Sequence, residues 1–209
     1  MTQLPKSRAD VTYPEDIFTE PEVDPDTVAN LGPLAPLAGR WQGTRGVDVH
    51  PNAAGTKEEQ YDEIFEFVPI DGQTNGPQLL YGLRYHQHVT RPGREGTFHD
   101  QVGYLLWEPA TKLITMTLAI PRAQVAMASG QAESDDAKKF TLRAEVGDPH
   151  AGIVTGPFLD YAFHTTSWEI TFRITDNDNW AYKQSTMLDV HGREPAFNHT
   201  DACALKRIN

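Results

Sequence analysis

A single cysteine, Cys203, stands in the 209 residues. That excludes an internal disulfide and any zinc cluster built on cysteine. Positive charge is also scarce. Eighteen Lys and Arg face 29 Asp and Glu, for a net charge of −11. Nucleic acid and anionic membrane surfaces both require a cationic face, so neither is expected as the main partner. No apolar run approaches the roughly 18 residues of a membrane span, and residues 1–10 carry no apolar segment of the kind a signal peptide needs. The expected compartment is the reducing cytoplasm. There is no Gly-rich phosphate loop and no Gly-x-Ser-x-Gly. Asp160 and His164 lie close in sequence, but no nucleophile accompanies them.

Turn formers and short alternating runs are plentiful. Sixteen glycines and 15 prolines punctuate a chain that is 39% hydrophobic, enough for a core. From Trp41 onward the hydrophobic period is mostly two, the signature of half-buried strands. Tyr61–Val68 reads as a strand ended by Pro69. Gln78–His88 alternates well, with Leu79, Tyr81, Leu83 and Tyr85 on one face and Arg84, His86 and His88 on the other. Phe98–Trp107, Leu113–Ile120, Gln124–Ala128, Phe140–Val146, Trp168–Ile174, Trp180–Val190 and Phe197–Ile208 continue the series. About ten strands with short connections predict an all-β fold, an antiparallel up-and-down barrel that removes its sheet edges by closing. Two segments are expected, an N-terminal arm with a short helix over 1–33 and a barrel over 34–209. Asp24-Pro25-Asp26-Thr27 is a helix start, and Gly32-Pro33 stops it. Tyr13, Ile17, Phe18 and Val23 are too apolar for a solvated tail. They predict an arm packed on the barrel or on a partner subunit, which leaves a homodimer open.

The barrel opens on Pro33-Leu34-Ala35-Pro36-Leu37-Ala38-Gly39-Arg40-Trp41-Gln42-Gly43. Glycines let the first strand bend sharply, and the indole can plug the closed end. Together with Pro77-Gln78-Leu79-Leu80-Tyr81 and His99-Asp100-Gln101-Val102-Gly103-Tyr104, this pattern resembles the nitrobindin family. Those proteins are small haem-binding β-barrels shaped like fatty-acid-binding proteins. The family's opening motif ends Gly-x-Gly, where this chain has Gly43-Thr44-Arg45 with Gly46 one place late. Gln101 replaces an acid of the family pattern, and the polar pair Thr200-Asp201 follows the last-strand histidine, with one residue more than expected before Leu205.

The resemblance implies a cavity holding haem b, with His199 as the iron ligand and His99 and Gly103 facing the ring. It also implies an enzyme of the peroxynitrite isomerase type, reacting with peroxynitrite or nitric oxide at ferric haem. Read from the residues alone, other functions stay open. His99 could be a hydrogen-bonded strand histidine at the barrel mouth, and a bulge in the last strand could absorb its extra residue. Asp201 could set the tautomer of His199 or make it a base. The same cavity could carry an apolar or aromatic small molecule without iron, its carboxylate held by Arg84 or Arg143. A cofactor-free acid–base enzyme could use His99 with Asp100 and His199 with Asp201 as catalytic pairs. His86 and His88, two apart on a strand, share a face and could chelate a metal, although solvated histidines near a strand end are the more ordinary reading.

Overall fold

A computed structural model describes residues 14–209. The expected packing of Tyr13 lies outside the described residues. Eleven strands follow one another: β1 Gly39–Asn52, β2 Gly55–Asn75, β3 Gln78–Thr90, β4 Thr97–Glu108, β5 Leu113–Ile120, β6 Gln124–Gln131, β7 Lys139–Glu145, β8 Ile153–Thr155, β9 Phe163–Ile174, β10 Asn179–Val190 and β11 Phe197–Ile208. Helix α1 (Thr27–Asn30) and a 3-10 helix (Gly32–Leu37) precede them, and helix α2 (Pro157–Ala162) sits between β8 and β9. Asp26 rather than Asp24 caps α1, its carboxylate accepting from Ala29 N at 3.1 Å.

Ten strands close into an antiparallel barrel. β1 to β7 run in order, β9, β10 and β11 follow, and β11 pairs back with β1. The short β8 lies outside this ring. It pairs with the first half of β6 through Gln124↔Thr155 to Ala126↔Ile153, whereas β6 meets β7 at Ser129↔Arg143. β6 therefore leaves β7 at its start and takes β8 as its partner there, and Phe158 and Leu159 of α2 line the rim of the cavity. Exposed Phe158 and Tyr161 extend that apolar rim outward.

The other end is closed. Trp41 is fully buried, and its indole N–H donates to Leu37 O at 2.7 Å. Leu31, Leu34 and Leu37 seal the mouth above it. The Arg207 guanidinium lies 4.1 Å over the Trp41 ring and donates to Ala38 O and Pro36 O, tying the last strand to the plug. Beneath, Trp41 meets Trp180 edge-on, and Phe65, Phe67 and Phe172 complete an aromatic layer. The expected role of Trp41 at the closed end holds.

The arm differs from the expectation of apolar anchoring. Ile17 and Phe18 are 57% and 86% exposed. Val23 does pack on the barrel, its side chain against Gly72 beside the Tyr81 ring. Backbone and polar contacts hold the rest of the segment. Ile17 O lies against Gly76, Asp24 N donates to Tyr81 Oη at 3.1 Å, and Thr27 Oγ1 donates to Ile70 O at 2.9 Å.

One irregularity decides what faces the interior. Between Gly43 and Val47, β1 holds one residue more than either neighbour, since Gly43↔Leu205 is followed by Val47↔Ala202 and Gly43↔Glu63 by Gly46↔Tyr61. Arg45 sits in this bulge at φ 59°, a conformation that favours glycine. Its N–H donates to Asp62 Oδ1 at 3.1 Å. An extra residue swaps the two faces of everything after it. Trp41 and Gly43 point inward before the bulge, and Gly46, Asp48 and His50 after it. The last strand carries no bulge. Its register with β10 runs unbroken from Phe197 to Lys206, so His199, Asp201, Cys203 and Leu205 all share the inner face.

Candidate functional site

At the open end the barrel encloses a cavity of about 580 Å³. That size suits a small-molecule or cofactor site. Its wall toward β5 and α2 is apolar, built from residues such as Leu118, Ile120, Ile153 and Phe158. Its polar side comes from β1, β10 and β11, which the β1 bulge and the unbroken β11 register place in contact.

The centre of that polar side is Asp48. Its Oδ1 lies 2.6 Å from His199 Nε2, and its Oδ2 lies 2.7 Å from His50 Nδ1. An ionised carboxylate only accepts, so both ring nitrogens donate to it. His199 in its neutral form therefore keeps Nδ1 as its free acceptor. Burial alone would push the Asp48 carboxyl up, but the hydrogen bonds and charge of His199 and His50 outweigh it and hold the group below its ordinary 3.8. Burial likewise pulls His199 down. The Asp48 hydrogen bond and charge, with the nearby Asp201, outweigh that and raise it above 6.5.

Asp201 lies directly across the strand pair from Asp48. Both of its oxygens accept from Gln184 Nε2, at 2.6 and 2.7 Å, and Gln184 Oε1 in turn accepts from the Trp168 indole N–H at 2.9 Å. Burial raises the Asp201 carboxyl to about 7, with the charges of Asp48 and Glu63 adding to the effect.

Deeper in the barrel a second polar group separates the cavity from the aromatic layer. Glu63 Oε2 accepts from Gln87 Nε2 at 2.7 Å and from Tyr182 Oη at 3.1 Å, and Tyr182 bonds Tyr61 Oη at 2.8 Å. Glu63 Oε1 has no nitrogen or oxygen partner. It lies by Gly43 and Cys203, where a side chain at position 43 would meet both. Burial pushes the Glu63 carboxyl up, against the hydrogen bonds of Gln87, Cys203 and Tyr182.

His99 lines the cavity with His199. Burial and the neighbouring Arg122 charge hold it below its ordinary value, so its neutral form is favoured. Asp100 does not accompany it. On a strand the next residue faces the other way, and Asp100 bonds His86 Nε2 at 2.9 Å on the outer face. No catalytic pair of His99 and Asp100 forms. Nor does Asp201 bond His199, because Asp48 takes that imidazole. Gly103 is not part of the cavity wall. A Cβ there would lie 1.9 Å from Thr117 O and 3.1 Å from the Tyr85 ring, so the glycine serves close strand approach.

His86 and His88 stand on the outer surface with ring centroids 6.3 Å apart, and His88 Nε2 is 3.1 Å from Thr97 Oγ1. Arg84 and Arg143 are exposed outside the barrel, and Arg143 pairs with Glu145. Arg91 and Arg122 line the cavity in their place. Asp160 and His164 do meet, at 2.8 Å, at an exposed site. Asp48 and His50 are the cavity-lining side chains that strand alternation conceals. Counted in twos from Trp41 they point outward, and the available signal was the late glycine after Arg45.

Ten closed antiparallel strands around an internal cavity define a β-barrel with room for a small ligand at its open end. The chain belongs to the family described as THAP4-like, heme-binding beta-barrel domain, whose sequence model matches residues 30–207. The crystal structure of Rv2717c from M. tuberculosis is similar to it in fold, with a TM-score of 0.62 and 22% sequence identity over 90% of this chain and 100% of that one. No curated protein sequence matches this chain. No helix among the described residues is long and apolar enough to cross a membrane.

Proposed function

We propose that the open end of this barrel binds haem b, with His199 as the axial ligand and His99 across the cavity. The observation that carries this reading is an imidazole on the last strand opening into a cavity of about 580 Å³ with an apolar opposite wall. Membership of a haem-binding domain family supports haem as the occupant.

The residues fit such a group in three respects. The cavity has room for a flat macrocycle, its walls toward β5 and α2 are apolar, and a neutral imidazole is an ordinary axial ligand. A carboxylate on one ring nitrogen is also the usual support of a metal-ligating histidine. Here that nitrogen is Nε2, so His199 offers iron Nδ1, or Nε2 once the ring leaves Asp48.

Bound ferric haem would supply an iron centre at which nitric oxide or peroxynitrite reacts. The chain supplies the surroundings. Asp48 orients His199 and raises its basicity. Neutral His99 can donate or accept one hydrogen bond toward a small ligand, and Arg122 beside it favours an anion in that space.

Haem titration of the full chain tests the proposal. A stoichiometric Soret band is expected in the wild type and in His50→Ala, and its loss in His199→Ala. An unchanged spectrum in His199→Ala would place the iron on another residue. No Soret shift in the wild type would leave a barrel that carries some other apolar small molecule.

A further inference from the structure

Asp48 and Asp201 face each other across the β1–β11 pair, both on the inner surface. Like charges in directly opposed positions are unfavourable. Among the described residues neither forms an ion pair with lysine or arginine, and Asp48 bonds to two imidazoles and Asp201 to an amide. The haem reading gives Asp201 no role. Yet Asp201, His199 and Asp48 each present a ligand atom, and these three atoms lie within 4.8 Å of one another beside the cavity.

We infer that Asp48, His199 and Asp201 form a binding site for a single non-haem divalent transition cation. Two carboxylates and one imidazole, without sulfur, are a donor set for Zn²⁺, Mn²⁺ or Fe²⁺. Bond lengths of about 2.1 Å in tetrahedral geometry set ligand atoms roughly 3.4 Å apart. The 2.6 Å contact between Asp48 Oδ1 and His199 Nε2 would therefore open by somewhat under an ångström as the metal replaces the proton between them. His50 Nδ1 on the other Asp48 oxygen, and Gln184 Nε2 on Asp201, would hold the two carboxylates in place from outside. Three protein ligands leave a position open to the cavity, as in catalytic rather than structural sites. A water or an oxygen of a cavity ligand would complete it.

The site does not depend on the haem reading. Both use His199, so haem and the cation are competing occupants of one imidazole, and Asp201 is the residue that separates them.

Calorimetric titration of chelator-treated full-length protein with Zn²⁺, and separately with Mn²⁺, tests the site. It is run in a His86→Ala/His88→Ala background to silence that exterior pair. One saturable equivalent is expected, with proton release seen as a buffer-dependent enthalpy. Asp201→Asn should weaken binding on the order of tenfold or more. Asp48→Asn serves as the second variant if Asp201→Asn does not fold. Zn²⁺ should also lower haem uptake in that background protein and lose this effect in Asp201→Asn. Absence of saturable binding of either ion, or equal affinity in the background protein and the folded aspartate variant, would overturn the inference. A missing Soret band would end the haem reading and leave this result standing. Saturable Zn²⁺ binding without haem competition would contradict the shared use of His199.

Discussion

The two ends of the barrel are built from the same strands and obey opposite rules. At the closed end β1, β10 and β11 contribute Trp41, Trp180 and Leu205, all buried, and the polar atom of Trp41 is satisfied by the backbone. At the open end the same three strands contribute Asp48, Gln184, His199 and Asp201. These share hydrogen bonds and line a cavity. Between them lies the Glu63–Gln87–Tyr182–Tyr61 group. Stability resides where packing is dense and dry. Chemistry resides where the strands have run past their apolar layer and into polar partners. Substitutions at the closed end should therefore cost the most stability, and those at the open end should show themselves in binding and in how stability depends on pH.

The largest effect is expected at the plug. Trp41→Ala removes a fully buried indole, its bond to Leu37 O and its stacking with Arg207. A loss of ~3–5 kcal/mol is expected in chemical denaturation. A midpoint near that of the wild type would break the contrast, because the closed end would then not be the stabilising one.

Next comes the centre of the open end. Asp48→Asn leaves His50 and His199 without their shared anion. A loss of roughly 1.5–3 kcal/mol is expected, in the range of hydrogen bonds to charged groups. It should depend on pH in a definite direction. His199 is raised, so its contribution is full below 6.5 and fades as pH climbs through its folded value. Asp48 is lowered, so its contribution is present above 3.8 and fades as pH falls through its folded value. The wild-type advantage over Asp48→Asn should peak between those two pH values and shrink on both sides. Denaturation curves across that range check it. A pH-independent difference would mean that the imidazoles are not coupled to Asp48.

The closed end was readable from the sequence and the open end only partly so. Period-two alternation, the Gly-x-Trp opening and the turn residues give the barrel, its strand number and the place of Trp41, because each depends on local pattern and burial. His199 was legible as an inward residue because β11 carries no bulge. β4 holds an extra residue at Phe98, where Val89↔His99 is followed by Thr90↔Thr97, but it lies before His99 and leaves His99, Gln101 and Leu105 on one face. Asp48 and His50 were not, because a single extra residue at Arg45 reverses the parity of everything after it. Asp100 failed for the complementary reason. It neighbours His99 in the chain and faces the opposite way in space. Gly103 was a correct glycine with the wrong motive. Strand neighbours, not a ligand, require its missing side chain.

Glu63 sharpens the boundary between the two ends. Its carboxyl is raised, so the folded state holds its proton more tightly than the unfolded chain does. Between the ordinary value of 4.5 and that raised value the native state binds more protons, and wild-type stability declines as pH rises. Glu63→Gln keeps the shape and removes the titration. The variant should gain on the wild type as pH is raised from 4.5, with little difference below it. Parallel curves across pH would show that Glu63 sheds its proton at no cost to the fold, and the polar layer would then belong electrostatically to the open end.

The smallest effect is expected at the bulge that joins the two regimes. Arg45 holds φ 59° without being glycine, and its side chain lies in solvent. A left-handed backbone costs a non-glycine residue about 1–2 kcal/mol. Glycine removes that cost but loses about 0.5–1 kcal/mol to the greater freedom of the unfolded chain. Arg45→Gly should therefore stabilise by about 1 kcal/mol or less, and it restores the Gly-x-Gly pattern of the nitrobindin family at this position. The bulge itself should persist, since the Arg45 N–H bond to Asp62 uses the backbone and survives the change. Asp48 and His50 then stay inward, and the pH dependence attributed to Asp48 should be the same in Arg45→Gly as in the wild type. A measured destabilisation would show that the arginine side chain contributes more than its exposed position indicates. An altered pH profile would show that residue 45 sets the strand parity through its side chain and not through its backbone.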